Sequence, residues 1–204
     1  MCLRIFYFCI AIVFLIAGIH PVQANKIKPM SLDTLCLKAG LIFEGKCIDI
    51  KTGKDPQTGF LSTWYTFKIL DGIKGGLKET ITIKQYGGTE EGITLKAQMT
   101  TYKEDETVVL FLYPSSRKGY TSSVGMSQGK FVVKTLPEEQ GQYVTNGMPA
   151  VMLFDGMPRT LSTLTARGVP AEGQARLRSS RMRKKDFTDY VKSIIKEQSH
   201  LEKK

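Results

Sequence analysis

The chain is predicted to be mainly β, a small closed barrel of five to six strands in Greek-key order. A short helix precedes the barrel and an amphipathic helix follows it. Three observations predict this class. Leu61 to Gly88 holds two runs of period-two alternation separated by turn residues. Thr107 to Tyr113 is a continuous apolar run bounded by charge and by Pro114, the pattern of a strand buried on both faces. Phe187, Tyr190, Val191, Ile194 and Ile195 fall at helical spacing and form one apolar stripe.

In order along the chain, the first 24 residues read as an export signal rather than as part of the fold. Arg4 supplies a basic start, Ile5 to Ile19 is almost wholly apolar, and Val22-Gln23-Ala24 ends in small residues suited to cleavage after Ala24. The apolar run is shorter than the roughly 20 residues that span a bilayer, and Pro21 ends it. The expected location is therefore outside the cytoplasm, periplasmic or secreted, with a mature chain of Asn25 to Lys204. Cys2 and Cys9 leave with the signal. Two cysteines in an exported chain, Cys36 and Cys47, favour a single disulfide over two free buried thiols.

Met30 to Gly40 reads as the first helix. Ser31 is a good N-cap because its hydroxyl accepts from the unpaired amides of the first turn. Met30 and Leu35 suit a hydrophobic staple, Asp33 suits the positive helix end, and Gly40 suits a left-handed stop. Leu41 to Ile50 reads as the first strand, with Gly45 marking a bulge or a close approach by another element. Lys51 to Gly59 reads as a loop. Thr63, Tyr65, Phe67 and Ile69 then alternate with Ser62, Trp64, Thr66 and Lys68. After the breaks at Asp71-Gly72 and Gly75-Gly76, Thr80, Thr82 and Lys84 take one face and Ile81 and Ile83 the other. Ile93 to Met99 holds a short strand, and Tyr120–Met126 and Lys130–Lys134 read as a last pair around Ser127-Gln128-Gly129. Val151 to Phe154 adds an edge strand. The barrel domain is thus placed at 25–157, a basic linker at 158–184 and the C-terminal helix at 185–198.

The short helix and barrel pattern carry a resemblance. SLDTLCLKAGLIFEGKCIDI, STWYTFKILDGIKG, ITIKQYGG, ETVVLFLY and GYTSSVGMSQGKFVV resemble a group of exported bacterial proteins of unassigned activity. Their pattern is similar to the five-stranded barrel of the netrin-module and tissue-metalloprotease-inhibitor proteins, an oligonucleotide/oligosaccharide-binding-type fold. The resemblance covers about residues 31–134, and its motifs are strand patterns and turn glycines. Gly40 stands where the group has Asp, and Asp105-Glu106 where it has Gly-Glu. Those inhibitors chelate a catalytic zinc through an N-terminal cysteine. The expected mature terminus here is Asn25, so that mechanism does not carry over.

Composition narrows the chemistry further. Beyond the signal the chain has one histidine, His200, near a charged end, which speaks against a Ser-His-Asp triad and against His-rich zinc sites. A Cys nucleophile would lack its usual base, and there is no Cys-x-x-Cys. The glycine pairs lack the Gly-Lys-Ser/Thr context of a phosphate loop. The acids Glu90, Glu91, Glu104, Asp105 and Glu106 lack calcium-loop spacing and read as solvated loops. No cofactor and no metal is expected. Glu44, Asp49, Glu104 and Glu106 are the carboxylates that a hydrolase would need to converge.

The charge is uneven. The whole chain is +10, while residues 158–204 alone carry a net +7. Arg176, Arg178, Arg181, Arg183, Lys184 and Lys185 form the sharpest basic cluster. It suits an acidic partner, an anionic lipid surface or a glycan, and otherwise reads as a solvated linker. Trp64 and Tyr65 point to opposite faces of their strand, so one belongs to the core and the other to the barrel surface. The expectation is a non-enzymatic binder of an envelope or extracellular protein, with anionic membrane or glycan as the alternative ligand. A carboxylate-based hydrolase is the third reading, and nucleic acid is not an expected partner.

Overall fold

The computed structural model describes residues 28–135, 141–148 and 181–201. The stretches expected to be an export signal and a Val151–Phe154 strand, and most of the expected basic linker, lie outside the described residues.

Helix α1 (Leu32–Lys38) is capped by Ser31, whose side chain accepts from the Thr34 amide. Met30 packs against the same core as Leu35, as a staple requires. The helix does not end in a left-handed glycine. Its last cap, Ala39, is extended, and Gly40 is needed for another reason: a Cβ there would stand 3.0 Å from the Pro114 ring.

Strands β1 (Leu41–Lys54) and β2 (Leu61–Lys74) form a long antiparallel hairpin. Both run further than their alternation suggested: β1 includes Lys51 to Lys54, and β2 continues through Asp71-Gly72. Gly45 sits at a bulge, as expected, and the β2 backbone also approaches it, with the Lys68 carbonyl oxygen 3.2 Å from where a Cβ would stand. The β1–β2 register shifts between Glu44 and Gly45, and a Cβ there would meet the Phe43 ring at 2.9 Å. Strand β3 (Thr80–Tyr86) pairs with β2. A separate two-stranded hairpin, β4 (Gly88–Glu90) and β5 (Ile93–Leu95), follows. Strand β6 (Thr107–Leu112) pairs with β1 on its other side, and β7 (Lys130–Thr135) pairs with β6. Tyr120–Met126 is not a strand; Met126–Gly129 forms a single 3₁₀ turn leading into β7. Strand β8 (Gln142–Thr145) and the two-residue β9 (Met182–Arg183) complete the sheet, and α2 (Lys184–Leu201) follows at once.

The fold is mainly β with a helix at each end, as predicted, but it is not a closed barrel. Seven of the described strands form one antiparallel sheet in the order β3-β2-β1-β6-β7-β8-β9, and β4 and β5 form the separate hairpin. The segment after β6 reaches toward β3 through isolated bridges, Lys84 with Tyr120 and Leu112 with Ser123, and not through a ladder. Chain that alternation assigned to a closing strand is spent on a turn and a 3₁₀ turn, so β3 remains an edge.

The sheet separates two cores. On one face, α1 and α2 cover Ile42, Val109, Phe111, Phe131 and Val144. The stripe of α2 seats Phe187 at 4.6 Å from the Phe131 ring and 6.2 Å from the Phe111 ring, with Val191 and Ile194 buried behind it. On the other face, Phe43, Tyr65, Phe67, Ile83, Val108, Leu110 and Leu112 pack around Tyr102. Strand β6 feeds both cores alternately, which explains its unbroken apolar run.

This partition overturns the expected disulfide. Cys36 on α1 belongs to the helix-covered core, while Cys47 on β1 belongs to the opposite one. The sheet stands between them, and both are free, buried thiols. Burial pushes the Cys36 thiol up to about 12, and raises Cys47 as well.

Candidate functional site

The basic cluster read from the sequence is divided by the structure. Arg176 and Arg178 lie outside the described residues. Strand β9 pairs Tyr143 with Arg183 and Val144 with Met182. Val144 and Met182 face the helix-covered core, so Tyr143 and Arg183 face the other way. Lys184, first residue of α2, turns to the helix side and donates to Glu44 at 2.9 Å; that carboxylate side chain is 8% exposed. Lys185 pairs with Asp189 one helical turn on, at 2.7 Å, and the carboxylate raises its pKa. Lys184 and Lys185 therefore serve the helix, while Arg183 stays on the sheet and Arg181 immediately precedes its strand.

Across the outer strands, register assembles the cations that remain. Lys134 on β7 opposes Tyr143 on β8, which opposes Arg183 on β9. The three form one row on one face, an aromatic ring between two cations. At one inter-strand spacing per step, the backbone positions that carry the two cations stand roughly 10 Å apart. Beside this row lies a groove of about 490 Å³ lined by Lys130, Val132, Lys134, Tyr143, Thr145 and Arg181. Lys130 is held in place there: its ammonium donates to Glu106 at 2.7 Å and to the Thr101 carbonyl at 2.8 Å, and lies 5.0 Å from the Tyr102 ring centre. Its charge is matched by Glu106, while Lys134 and Arg181 add further basic side chains to the lining and Arg183 stands next to it in the row.

Lys134 and Tyr143 are site residues that sequence reading missed. Lys134 was legible as a strand terminus, but Tyr143 lies in a segment whose alternation is short. The pairing of β7 with β8 brings them together, and that of β8 with β9 adds Arg183.

A second polar cluster, also missed, lies at the β1–β2 hairpin end. Thr58 Oγ1, Lys84 Nζ and Tyr120 Oη all donate to one oxygen of Asp55, at 2.6, 2.9 and 3.1 Å. Ser62 Oγ lies 2.8 Å from the same tyrosine oxygen. The Lys84 ammonium also sits 4.5 Å from the Tyr120 ring centre, and the Tyr86 ring stacks on Tyr120 at 3.8 Å. The Thr58 hydroxyl first, then Lys84 and Tyr120, hold the Asp55 carboxyl near 2, well below the usual carboxylate range. A carboxylate so fully occupied is a fixed charge and a poor base at neutral pH, so the cluster acts as a fastener between loops.

The carboxylates named for hydrolysis do not converge. Glu44 is taken by Lys184, Glu106 by Lys130, and Asp49 by Lys51 at 3.3 Å, while Glu104 is exposed. Among the described residues, no group of three or more His, Cys, Asp or Glu side chains is placed to hold a metal ion. Trp64 is half-buried on the β2 face opposite the core residue Tyr65, across from Lys84. No protein-family model matches the chain, and no curated protein matches its sequence.

Proposed function

We propose that the protein is an exported, non-enzymatic binding protein that engages an anionic partner through the β7–β8–β9 face. The observation that carries this reading is the Lys134–Tyr143–Arg183 row with Arg181 at the neighbouring groove. Cations gathered around a concave surface raise the local concentration of anions and speed their encounter. Support for binding over catalysis comes from the carboxylates, whose described members are each paired away from one another or left in solvent.

The test is retention of the purified protein on a polyanion column at low salt. Retention that falls with added salt, and is lost in Lys134→Ala/Arg183→Ala, is expected. A control removing two exposed lysines elsewhere, Lys51→Ala/Lys68→Ala, matches the charge change and is expected to keep most of the retention. Equal loss in both double variants would reduce the effect to net charge and sink the reading.

A second reading has its own observation. Phe60 and Tyr86 are exposed with rings 6.0 Å apart, and Ile93 and Leu95 on the adjoining hairpin are also exposed. Contact with an envelope or extracellular protein would use this end of the molecule. Capture of one defined partner from an envelope extract, abolished by Phe60→Ser/Leu95→Ser, is the expected result; unchanged capture by that variant would remove this reading.

A further inference from the structure

Resting on the reading of the β7–β8–β9 face as an anion site, we infer that its ligand is an acidic polysaccharide. A sugar ring lies on Tyr143, and carboxylate or sulfate groups on either side of it reach Lys134 and Arg183.

The geometry favours a glycan over the other polyanions. An extended acidic peptide gains most of its affinity by adding to a free strand edge, through backbone hydrogen bonds. The edge here is β9, two residues long, and the chain turns into α2 directly after it. What the face offers instead is side chains: an aromatic ring, the Val132 and Thr145 methyl groups, and cations. A pyranose presents an apolar C–H face with a polar rim, and such a ring needs that kind of floor. The groove supplies the rim contacts too, with Ser127 and Asn146 among its lining residues. A groove of about 490 Å³ falls within the roughly 300–1,000 Å³ of clefts that hold small-molecule-sized units, whereas a bilayer surface has no group to fill it.

The spacing of the row also fits a polymer. Two inter-strand steps separate the backbone positions of the flanking cations by roughly 10 Å, and each is one step, roughly 5 Å, from the strand position of the ring between them. A chain of sugars bearing acidic groups on either side of a central ring meets all three residues at once. A single small anion meets one.

The experiment is calorimetric titration of the full chain with uronic-acid oligosaccharides, poly-glutamate of matched charge, and phosphatidylglycerol vesicles. The oligosaccharide is expected to bind most tightly. Tyr143→Ala is expected to weaken it roughly tenfold, with Tyr143→Phe close to the parent. Lys134→Ala and Arg183→Ala each weaken it several-fold, and added salt weakens it throughout. Tyr143→Leu keeps an apolar side chain in the strand, so a loss shared by Leu and Ala but spared by Phe reports the ring and not the fold. If poly-glutamate or the vesicles bind as tightly, and no Tyr143 variant changes anything, the glycan inference falls while the anion reading stands. If no polyanion binds at low salt, both fall.

Discussion

The Lys84 ammonium donates to Asp55 Oδ2 at 2.9 Å with both side chains almost closed to solvent, 11% and 4% exposed. Asp55 belongs to the β1–β2 connection, Lys84 to β3, and Tyr120, the third partner, to the segment after β6. Three parts of the chain that no ladder joins are tied at one carboxylate oxygen. Buried polar groups of this kind stabilise only while each is satisfied, because an unpaired one keeps its desolvation cost without its bond.

Removing the phenol oxygen tests this directly. Tyr120→Phe keeps the ring stacked on Tyr86 but takes a donor from Asp55 and a partner from Ser62. The expected loss is about 1–3 kcal/mol of unfolding free energy, read from urea denaturation. An unchanged urea midpoint would mean that the hydroxyl network contributes nothing to the fold.

The same carboxylate makes a pH prediction. The Asp55 pKa in the folded chain is lowered to about 2, against about 3.9 for an unfolded aspartate. A depressed acid contributes stability above its unfolded value, and that contribution disappears as pH falls through the folded one. The urea midpoint should therefore drop between about pH 4 and pH 2, and Asp55→Asn should flatten the drop while lowering the neutral-pH midpoint. A variant whose acid limb superimposes on the parent would reassign the acid sensitivity to other groups.

How far these relationships were legible depends on the distance along the chain. The α2 stripe, the Ser31 cap and the two-sided burial of β6 are local patterns, written within a few turns or one strand, and all are present. Asp55, Lys84 and Tyr120 lie 29 and 65 positions apart, and Lys84 occupies the alternation slot that reads as solvent-facing. The Cys36–Cys47 bond failed for a related reason. Each cysteine is near the other in sequence, but β1 turns Cys47 to one face of the sheet while α1 carries Cys36 on the other, and that could be read only once the packing of α1 was known. The basic run was read as linker because a two-residue strand leaves no periodicity. Once Met182–Arg183 pairs with β8, the same alternation sorts Arg183 from Lys184.

The link from Lys184 to Glu44 joins the start of α2 to β1 across 140 positions. Lys184→Ala strands a carboxylate that is almost fully buried. A fully buried pair would lose about 3–5 kcal/mol, but Lys184 is 27% exposed, so about 2 kcal/mol is expected. Adding Glu44→Gln should recover part of this, and a double-mutant cycle measures the coupling. Additive losses would show that the contact is incidental. Phe187→Ala, which empties the space beside Phe111 and Phe131, should cost more, about 3–5 kcal/mol.

Gly129 closes the 3₁₀ turn that aims β7 at β6. A Cβ there would stand 2.7 Å from the Val124 carbonyl oxygen and 2.9 Å from that of Phe111, both backbone atoms that cannot swing aside. Gly129→Ala should cost about 1–3 kcal/mol, the range of overpacked sites, and disturb the start of the strand that carries Lys130 and Lys134. By contrast Gly76→Ala, with nothing within 4 Å, should leave stability nearly unchanged. Equal midpoints for the two variants would contradict the packing described at the turn.

The thiols allow a chemical check on the two-core architecture. Cys36 and Cys47 are both closed to solvent, and the Cys36 thiol is pushed up to about 12 first by burial, then by the nearby Asp33 charge. Because the thiolate is the reactive form, native protein at neutral pH should take up iodoacetamide at either site far more slowly than a free cysteine. In denaturant both should alkylate without prior reduction, and peptide mass mapping would place one adduct on each. Protein isolated under oxidising conditions that alkylates only after reduction would join the two residues after all. That joining would require α1 to leave its face of the sheet, because no rotation of either side chain carries sulfur through the strands between them.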